Sequence, residues 1–115
     1  MVEVSDDLAR KVFSAIELAH KTGSIKKGAN EVTKAVERGK AKLVAIASDA
    51  NPKEIIMHIP IICKEKNIPC VHLASKQELG ASAGIEVSTV AIAVLEEGDA
   101  KRDVQEIAQT LSQLV

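Results

Sequence analysis

Aromatic residues are nearly missing from this sequence. Its 115 residues include no tryptophan or tyrosine, and Phe13 is the one phenylalanine. The core must therefore be aliphatic, and the scarcity argues against recognition of nucleic acid by stacking bases on aromatic side chains. The length suits one domain with a substantial core, so we expect a single domain over residues 1–115.

Cysteines and long apolar segments are also few. Cys63 and Cys70 cannot make a disulfide framework, which favours a reduced, intracellular setting. No apolar run has the length of a membrane-spanning helix. The acidic start MVEVSDD lacks the basic region and apolar run of a signal peptide. We therefore expect a cytoplasmic protein with no membrane partner.

An excess of either charge is missing as well, since the net charge is −1. The basic residues are nevertheless concentrated, because residues 21–42 carry seven lysines and arginines against two glutamates. Such a cluster is typical of a solvated lysine-rich surface, and also of a surface that attracts nucleic acid. Charge alone leaves both interpretations open.

Three apolar runs bounded by polar or turn residues predict buried strands. They are KLVAIAS at 42–48, IPCVHLA at 68–74 and TVAIAVL at 89–95. The short segment SIKKGA before them is expected to be extended, and helical patterns alternate with all of these segments. The sequence therefore predicts an α/β fold, a three-layer α/β/α sandwich with a small mixed four-stranded sheet.

Two of the predicted helices have definite expected bounds. Asn30 is expected to cap a helix that runs through Arg38. A second helix is expected over residues 52–66, where EIIMHIPIIC is apolar on most sides and should be largely buried. Pro60 should bend that helix, and His58 should pack in the core.

The segment KGANEVTKAVERG at 27–39 has one polar and one apolar helical face, at about 100° per residue. Gly28 removes the side chain that would keep a ligand away, and the helix start offers N–H groups to a phosphate. Asn and Lys can donate to purine N7 and O6 atoms, and Glu can accept from base amino groups. An ordinary amphipathic helix explains the apolar face but not Gly28 or the flanking lysines. The polar face carries Asn30, Glu31, Lys34 and Arg38.

This segment closely resembles the signature of the L7Ae family of archaeal large-subunit ribosomal proteins, whose relatives include the eukaryotic box C/D core protein. SDANPKEIIMHIPIICKEKNIPCVHLASKQELGASAG resembles the central block of that family, and GIEVSTVAIAVLEEG resembles its distal loop and last strand. The resemblance implies a protein that is not an enzyme, needs no cofactor and binds kink-turn RNA. A kink-turn is a helix–internal loop–helix in which tandem sheared G·A pairs lie beside a sharp bend.

The resemblance also implies which residues contact this RNA. Asn30, Glu31 and Lys34 would contact the guanines of the G·A pairs. Lys27 and Gly28 would lie against phosphates, and the polar face continues to Arg38.

Two further contact regions are implied by the same resemblance. Ile85 and Val87 would pack on bases at the bulge, and Glu86 would help to set the archaeal type of loop. Many relatives carry an acid in place of Asn51, which can donate hydrogen bonds as well as accept them. The patch for an extruded nucleotide would consist of Asn51, Ile55 and Lys76.

The implied RNA partners are ribosomal RNA, the box C/D and H/ACA guide RNAs and ribonuclease P RNA, with a monomeric protein when free. In guide particles the RNA-bound protein would recruit a scaffold protein and, in box C/D particles, the methyltransferase fibrillarin. Two alternatives of other classes are a small α/β nucleotide-binding or enzymatic domain and a protein–protein interaction module of the same fold.

Overall fold

Helices and strands alternate along the chain. The structure, a computed structural model, describes residues 6–47, 56–73 and 89–114. None of the helices in these three ranges is long and apolar enough to cross a membrane. In chain order the elements are α1 (Asp6–Thr22), β1 (Ser24–Lys27), α2 (Ala29–Glu37), β2 (Leu43–Ala47), α3 (Ile59–Glu65), β3 (Cys70–Leu73), β4 (Ala91–Glu96), a short 3-10 helix (Gly98–Ala100) and α4 (Lys101–Leu114).

The four strands form one mixed sheet in the order β1–β4–β2–β3. β4 is antiparallel to both β1 and β2, whereas β2 and β3 are parallel. The central strand β2 is buried throughout, as a continuous apolar run predicts. β1, which leads directly into α2, is the edge strand next to β4 within the described ranges. The predicted small mixed four-stranded sheet is confirmed.

Helices cover both faces of the sheet because strand residues alternate between the two faces. Leu43, Ala45 and Ala47 pack with α1 and α4. Val44 and Ile46 pack on the opposite face with α2 and α3. The three-layer sandwich predicted from the sequence is therefore confirmed, with an aliphatic core on each side of the sheet.

The helix predicted over 52–66 has a different start in its described part. A turn at 56–58 comes first, and the N–H of Ile59 donates to the carbonyl oxygen of Ile56 at 3.1 Å. Pro60 then lies in the first turn of α3, where a proline loses no intrahelical hydrogen bond. The expectation that Pro60 bends a longer helix is wrong for these residues, and 52–55 lie outside the described residues.

The expectation that this region is buried on most sides is also wrong. Ile56, Ile59 and Cys63 recur on one face, and that face alone packs in the core. Met57 and Ile61 are 62% and 63% exposed as a consequence.

A joint at Thr22 connects the end of α1 to the 3-10 helix. The N–H of Asp99 donates to Thr22 Oγ1 at 2.9 Å, and Thr22 Oγ1 donates to the carbonyl oxygen of Leu18 at 2.7 Å. Gly98 lies against this joint with φ of 57°, and a Cβ at Gly98 would approach the Thr22 carbonyl to 2.6 Å. The position thus requires glycine for both its conformation and its space.

Gly98→Ala is expected to destabilise the fold far more than Gly39→Ala. Gly39 also has positive φ, 68°, but a Cβ there meets nothing within 4 Å. The left-handed conformation alone costs about 1–2 kcal/mol, and Gly98→Ala adds a collision with backbone atoms. Urea denaturation of both variants measures the difference. Equal losses would contradict the packing at Thr22.

His72 gives the fold a pH dependence. Burial lowers its pKa because desolvation disfavours the imidazolium ion. The unfolded chain therefore takes up this proton at a higher pH than the folded chain does. We expect the free energy of unfolding to fall as pH drops below about 6.5, and to fall less in His72→Gln. Denaturation curves at several pH values test this, and identical pH profiles for the two proteins would contradict it.

Candidate nucleic-acid interface

Helix α2 begins immediately after Gly28, which has φ of 95° and ψ of 150°. Its N–H donates to the carbonyl oxygen of Ala91 on β4 at 2.9 Å, and its own carbonyl oxygen accepts the N–H of Val32 at 3.0 Å. Gly28 therefore ends the pairing of β1 with β4 and opens the helix. The positive φ of Gly28, which glycine tolerates, turns the chain directly from β1 into α2. The helix therefore starts at Ala29, before Asn30. The prediction that Asn30 caps α2 is wrong, because Asn30 is the second helical residue and is exposed.

The start of α2 has no side-chain cap, and among the described residues Gly28 and Ala29 are half-buried while Asn30 and Glu31 are exposed. The N–H groups of Ala29, Asn30 and Glu31 belong to the first turn, which has no intrahelical acceptors for them. A Cβ placed on Gly28 would meet nothing within 4 Å in the described structure. These donors, together with the positive end of the helix dipole, suit an anionic group that approaches over Gly28.

Three polar side chains of different chemistry lie exposed in the first two turns of α2: Asn30, Glu31 and Lys34. Lys34 Nζ lies 3.9 Å from Glu31 Oε1, and both side chains are more than half exposed, at 59% and 52%. An exposed pair at this distance is worth little energy, so either side chain can exchange it for a ligand. The opposite face is fixed, because Val32, Ala35 and Val36 are buried.

Two exposed lysines at the end of β1 lie on opposite faces of the sheet. Lys26 pairs with Ala93, which belongs to the core under α2, and Lys27 pairs with Ile92, which belongs to the core under α1. Of these two lysines, only Lys27 is predicted from the sequence to contact RNA. Lys26 is the lysine on the face that carries α2, and the two-residue alternation of a strand is the signal that could have identified it.

Arg38 lies at the other end of α2, where it forms the C-cap. At 1.5 Å per residue it is about 12 Å along the helix from Asn30. The structure therefore brings Lys26, Gly28 and Asn30 to one end of α2 but leaves Arg38 at the far end. A ligand must extend along the helix to touch both ends.

His58, expected in the core, is exposed and faces α2 instead. Its Nε2 lies 2.8 Å from Thr33 Oγ1, which in turn donates to the carbonyl oxygen of Ala29 at 2.7 Å. Sequence reasoning missed both residues. The buried series Ile56, Ile59 and Cys63 leaves His58 off the core face, and this spacing could have shown its exposure.

The sequence profile of the Ribosomal protein L7Ae/L30e/S12e/Gadd45 family matches residues 10–104. The chain belongs to this family. The 15.5kD RNA binding protein of Giardia lamblia is 34% identical and superposes with a TM-score of 0.95, over 100% of this chain and 96% of that chain.

Membership of the L7Ae family agrees with the resemblance seen in KGANEVTKAVERG, and the match extends over the whole of α2. The remaining candidate residues of the family pattern lie outside the described residues and stay predictions. These are Asn51, Ile55, Lys76, Ile85, Glu86 and Val87.

In 6–47, 56–73 and 89–114, no group of three or more His, Cys, Asp or Glu residues could hold a metal ion. The hydrogen bond with Cys63, together with burial, raises the pKa of the Cys70 thiol. The same hydrogen bond lowers the pKa of the Cys63 thiol, against the effect of its burial.

The conformation of Gly28 predicts that Gly28→Ala is costly even in open space. A φ of 95° with a ψ of 150° belongs to a region that essentially only glycine occupies. We expect a loss of about 1–3 kcal/mol in the free energy of unfolding, larger than the loss in Gly39→Ala. Urea denaturation measures both variants. A Gly28→Ala protein as stable as the wild type would contradict this description of the helix start.

Proposed function

We propose that this protein binds kink-turn RNA through the open start and exposed face of α2. The observation that carries the proposal is the uncapped first turn after Gly28, with Asn30, Glu31 and Lys34 exposed beside it. Membership of the L7Ae family and the likeness to a 15.5kD RNA binding protein support RNA as the ligand.

The chemistry of a kink-turn suits a helix start of this kind. The major groove of regular A-form RNA is too deep and narrow for side chains to read. A sharp bend beside sheared G·A pairs opens that groove locally and leaves base edges accessible. Asn30 and Lys34 can then donate to guanine N7 and O6 atoms, and Glu31 can accept from guanine imino and amino groups.

The RNA backbone would be held by a separate set of groups. Free N–H groups in the first turn of α2 can bind one phosphate without a side chain in between. Lys26 and Lys27 flank this position, and Arg38 can reach the backbone farther along α2. Such contacts release counterions, so affinity should fall steeply as salt rises.

The residues beyond the described ranges complete the proposed RNA surface by family resemblance. Ile85 and Val87 would pack on bulge bases with Glu86 in the same loop. Asn51, Ile55 and Lys76 would contact the extruded nucleotide.

We place the protein in several ribonucleoproteins on the same resemblance. These are the large ribosomal subunit, box C/D and H/ACA guide particles and ribonuclease P, in the cytoplasm. In guide particles the protein fixes RNA geometry and other subunits do the chemistry, so it is not itself an enzyme. The exposed side chains of Met57, in the turn before α3, and Ile61, on α3, are available for a protein contact. The surface that the protein and its bound RNA form together would recruit the scaffold protein and, in box C/D particles, fibrillarin.

The proposal is tested by titrating the protein against a kink-turn RNA and a matched control. In the control, Watson–Crick pairs replace the two sheared G·A pairs. We expect strong preference for the kink-turn, because the protein can stabilise the kinked state only by its differential affinity for it. Equal weak binding to both RNAs would reduce the site to a basic surface and reopen the enzyme and protein-module alternatives.

Glu31→Ala separates base recognition from charge attraction. We expect it to weaken kink-turn binding by about 1–3 kcal/mol, the scale of a good base contact, and Lys34→Ala to do the same. Glu37→Ala is the matched control, because it removes an equal charge from the other end of α2 and should bind at least as tightly as the wild type. If Glu31→Ala and Glu37→Ala both bound more tightly, the site would recognise RNA through charge alone.

A further inference from the structure

A chain of two hydrogen bonds links α3 to the first residue of α2. Thr33 Oγ1 lies 2.8 Å from His58 Nε2 and 2.7 Å from the carbonyl oxygen of Ala29. Ala29 follows Gly28 directly, so the chain ends at the proposed RNA-binding turn. We call these three residues the His58–Thr33–Ala29 bridge.

The direction of the hydrogen bonds follows from the hydroxyl group. Thr33 has one hydroxyl hydrogen, and it is donated to Ala29. The oxygen of Thr33 can therefore only accept from His58, which requires a hydrogen on Nε2. Both the neutral Nε2–H tautomer and the imidazolium ion carry that hydrogen. The bridge therefore requires one of these two forms of His58.

His58 is well placed to hold α2 because its own backbone is fixed. It lies between the buried residues Ile56 and Ile59, and its carbonyl oxygen accepts the N–H of Ile62 at 3.1 Å. Ile59 and Val32 pack in the same core cluster, which joins α3 to α2 below the bridge. The backbone that carries the imidazole is therefore held in place by α3 and by the core.

The start of α2 needs such a support because it lacks the usual one. A Ser, Thr, Asp or Asn cap would satisfy the first-turn N–H groups and so remove them from an incoming phosphate. Gly28 leaves those groups open and forms no side-chain cap. The Thr33 hydroxyl binds the Ala29 carbonyl from within the helix and so leaves these donors uncovered, and its contact with His58 ties the turn to the residue that precedes α3.

We infer that the His58–Thr33–Ala29 bridge positions the first turn of α2 for RNA, with His58 and Thr33 as positioning residues that need not touch the RNA. This inference rests on the proposed function. His58 and Thr33 would thus support RNA binding through hydrogen bonds and not through charge.

The first test compares Thr33→Val with Thr33→Ser. Valine keeps the shape of threonine but has no hydroxyl, whereas serine keeps the hydroxyl. We expect Thr33→Val to bind kink-turn RNA about five-fold more weakly, the affinity equivalent of a typical net hydrogen bond, and to bind the Watson–Crick control RNA unchanged. Thr33→Ser should bind like the wild type. Wild-type affinity in a folded Thr33→Val protein would overturn the inference.

The second test asks whether His58 acts through Thr33. His58→Ala should weaken kink-turn binding to the same degree as Thr33→Val, and the double variant should lose no more than either single variant. His58→Gln should restore binding in part, since its side-chain amide can donate to Thr33. Additive losses, or a loss in His58→Ala with none in Thr33→Val, would mean that His58 contacts the RNA directly and would overturn the bridge.

Amide hydrogen exchange of the RNA-free proteins provides a readout that does not depend on RNA. Exchange at residues 32–34 should be faster in Thr33→Val and His58→Ala than in Thr33→Ser and His58→Gln, while β2 and β4 keep wild-type rates. Unchanged exchange in α2 would overturn the inference even if affinity fell. If the wild type showed no preference for the kink-turn RNA, the proposed function would fail, and the role of the bridge in RNA binding would fail with it. If the wild type and all variants showed the same preference, only the inference about the bridge would be overturned.

Discussion

The hydrogen bond from the Gly28 N–H to the carbonyl oxygen of Ala91, at 2.9 Å, is the constraint on which the candidate site depends. It ties the end of edge strand β1 to the first residue of central strand β4. The positive φ of Gly28 then turns the chain directly into α2. The first four residues of β4 are buried, so this hydrogen bond attaches the start of α2 to the buried centre of the sheet.

The uncapped start of α2 is less stable than a capped one, but its backbone N–H donors stay accessible. A capped helix would be more stable but would offer no free N–H groups, so an uncapped start is a cost that the rest of α2 must offset. Val32, Ala35 and Val36 do so by burial on one side, and the bond between Thr33 and His58 does so at the edge of that buried face. The exposed face is therefore free to carry Glu31 and Lys34 without contributing to the core.

The pattern of apolar residues in the sequence predicted the layers and most of the strands, because short apolar runs such as Leu43–Ala47, bounded by polar or turn residues, are typical of buried strands. It misplaced the start of α2, because sequence shows a favourable cap in Asn30 but not the backbone angles of Gly28. It also overestimated the burial of α3, since composition does not say which side of an apolar segment meets the core. The contact between Thr33 and His58 joins residues 25 positions apart and has no local signal.

Recognition of RNA by the start of α2 is tested most directly by following the backbone amides of the isotopically labelled protein by NMR during addition of kink-turn RNA. We expect the largest shifts at residues 28–34, led by the first-turn N–H groups of Ala29, Asn30 and Glu31. We expect little change there when the Watson–Crick control RNA is added. Shifts centred on α1 or α4, or equal shifts with both RNAs, would contradict the claim that the open start of α2 recognises the RNA.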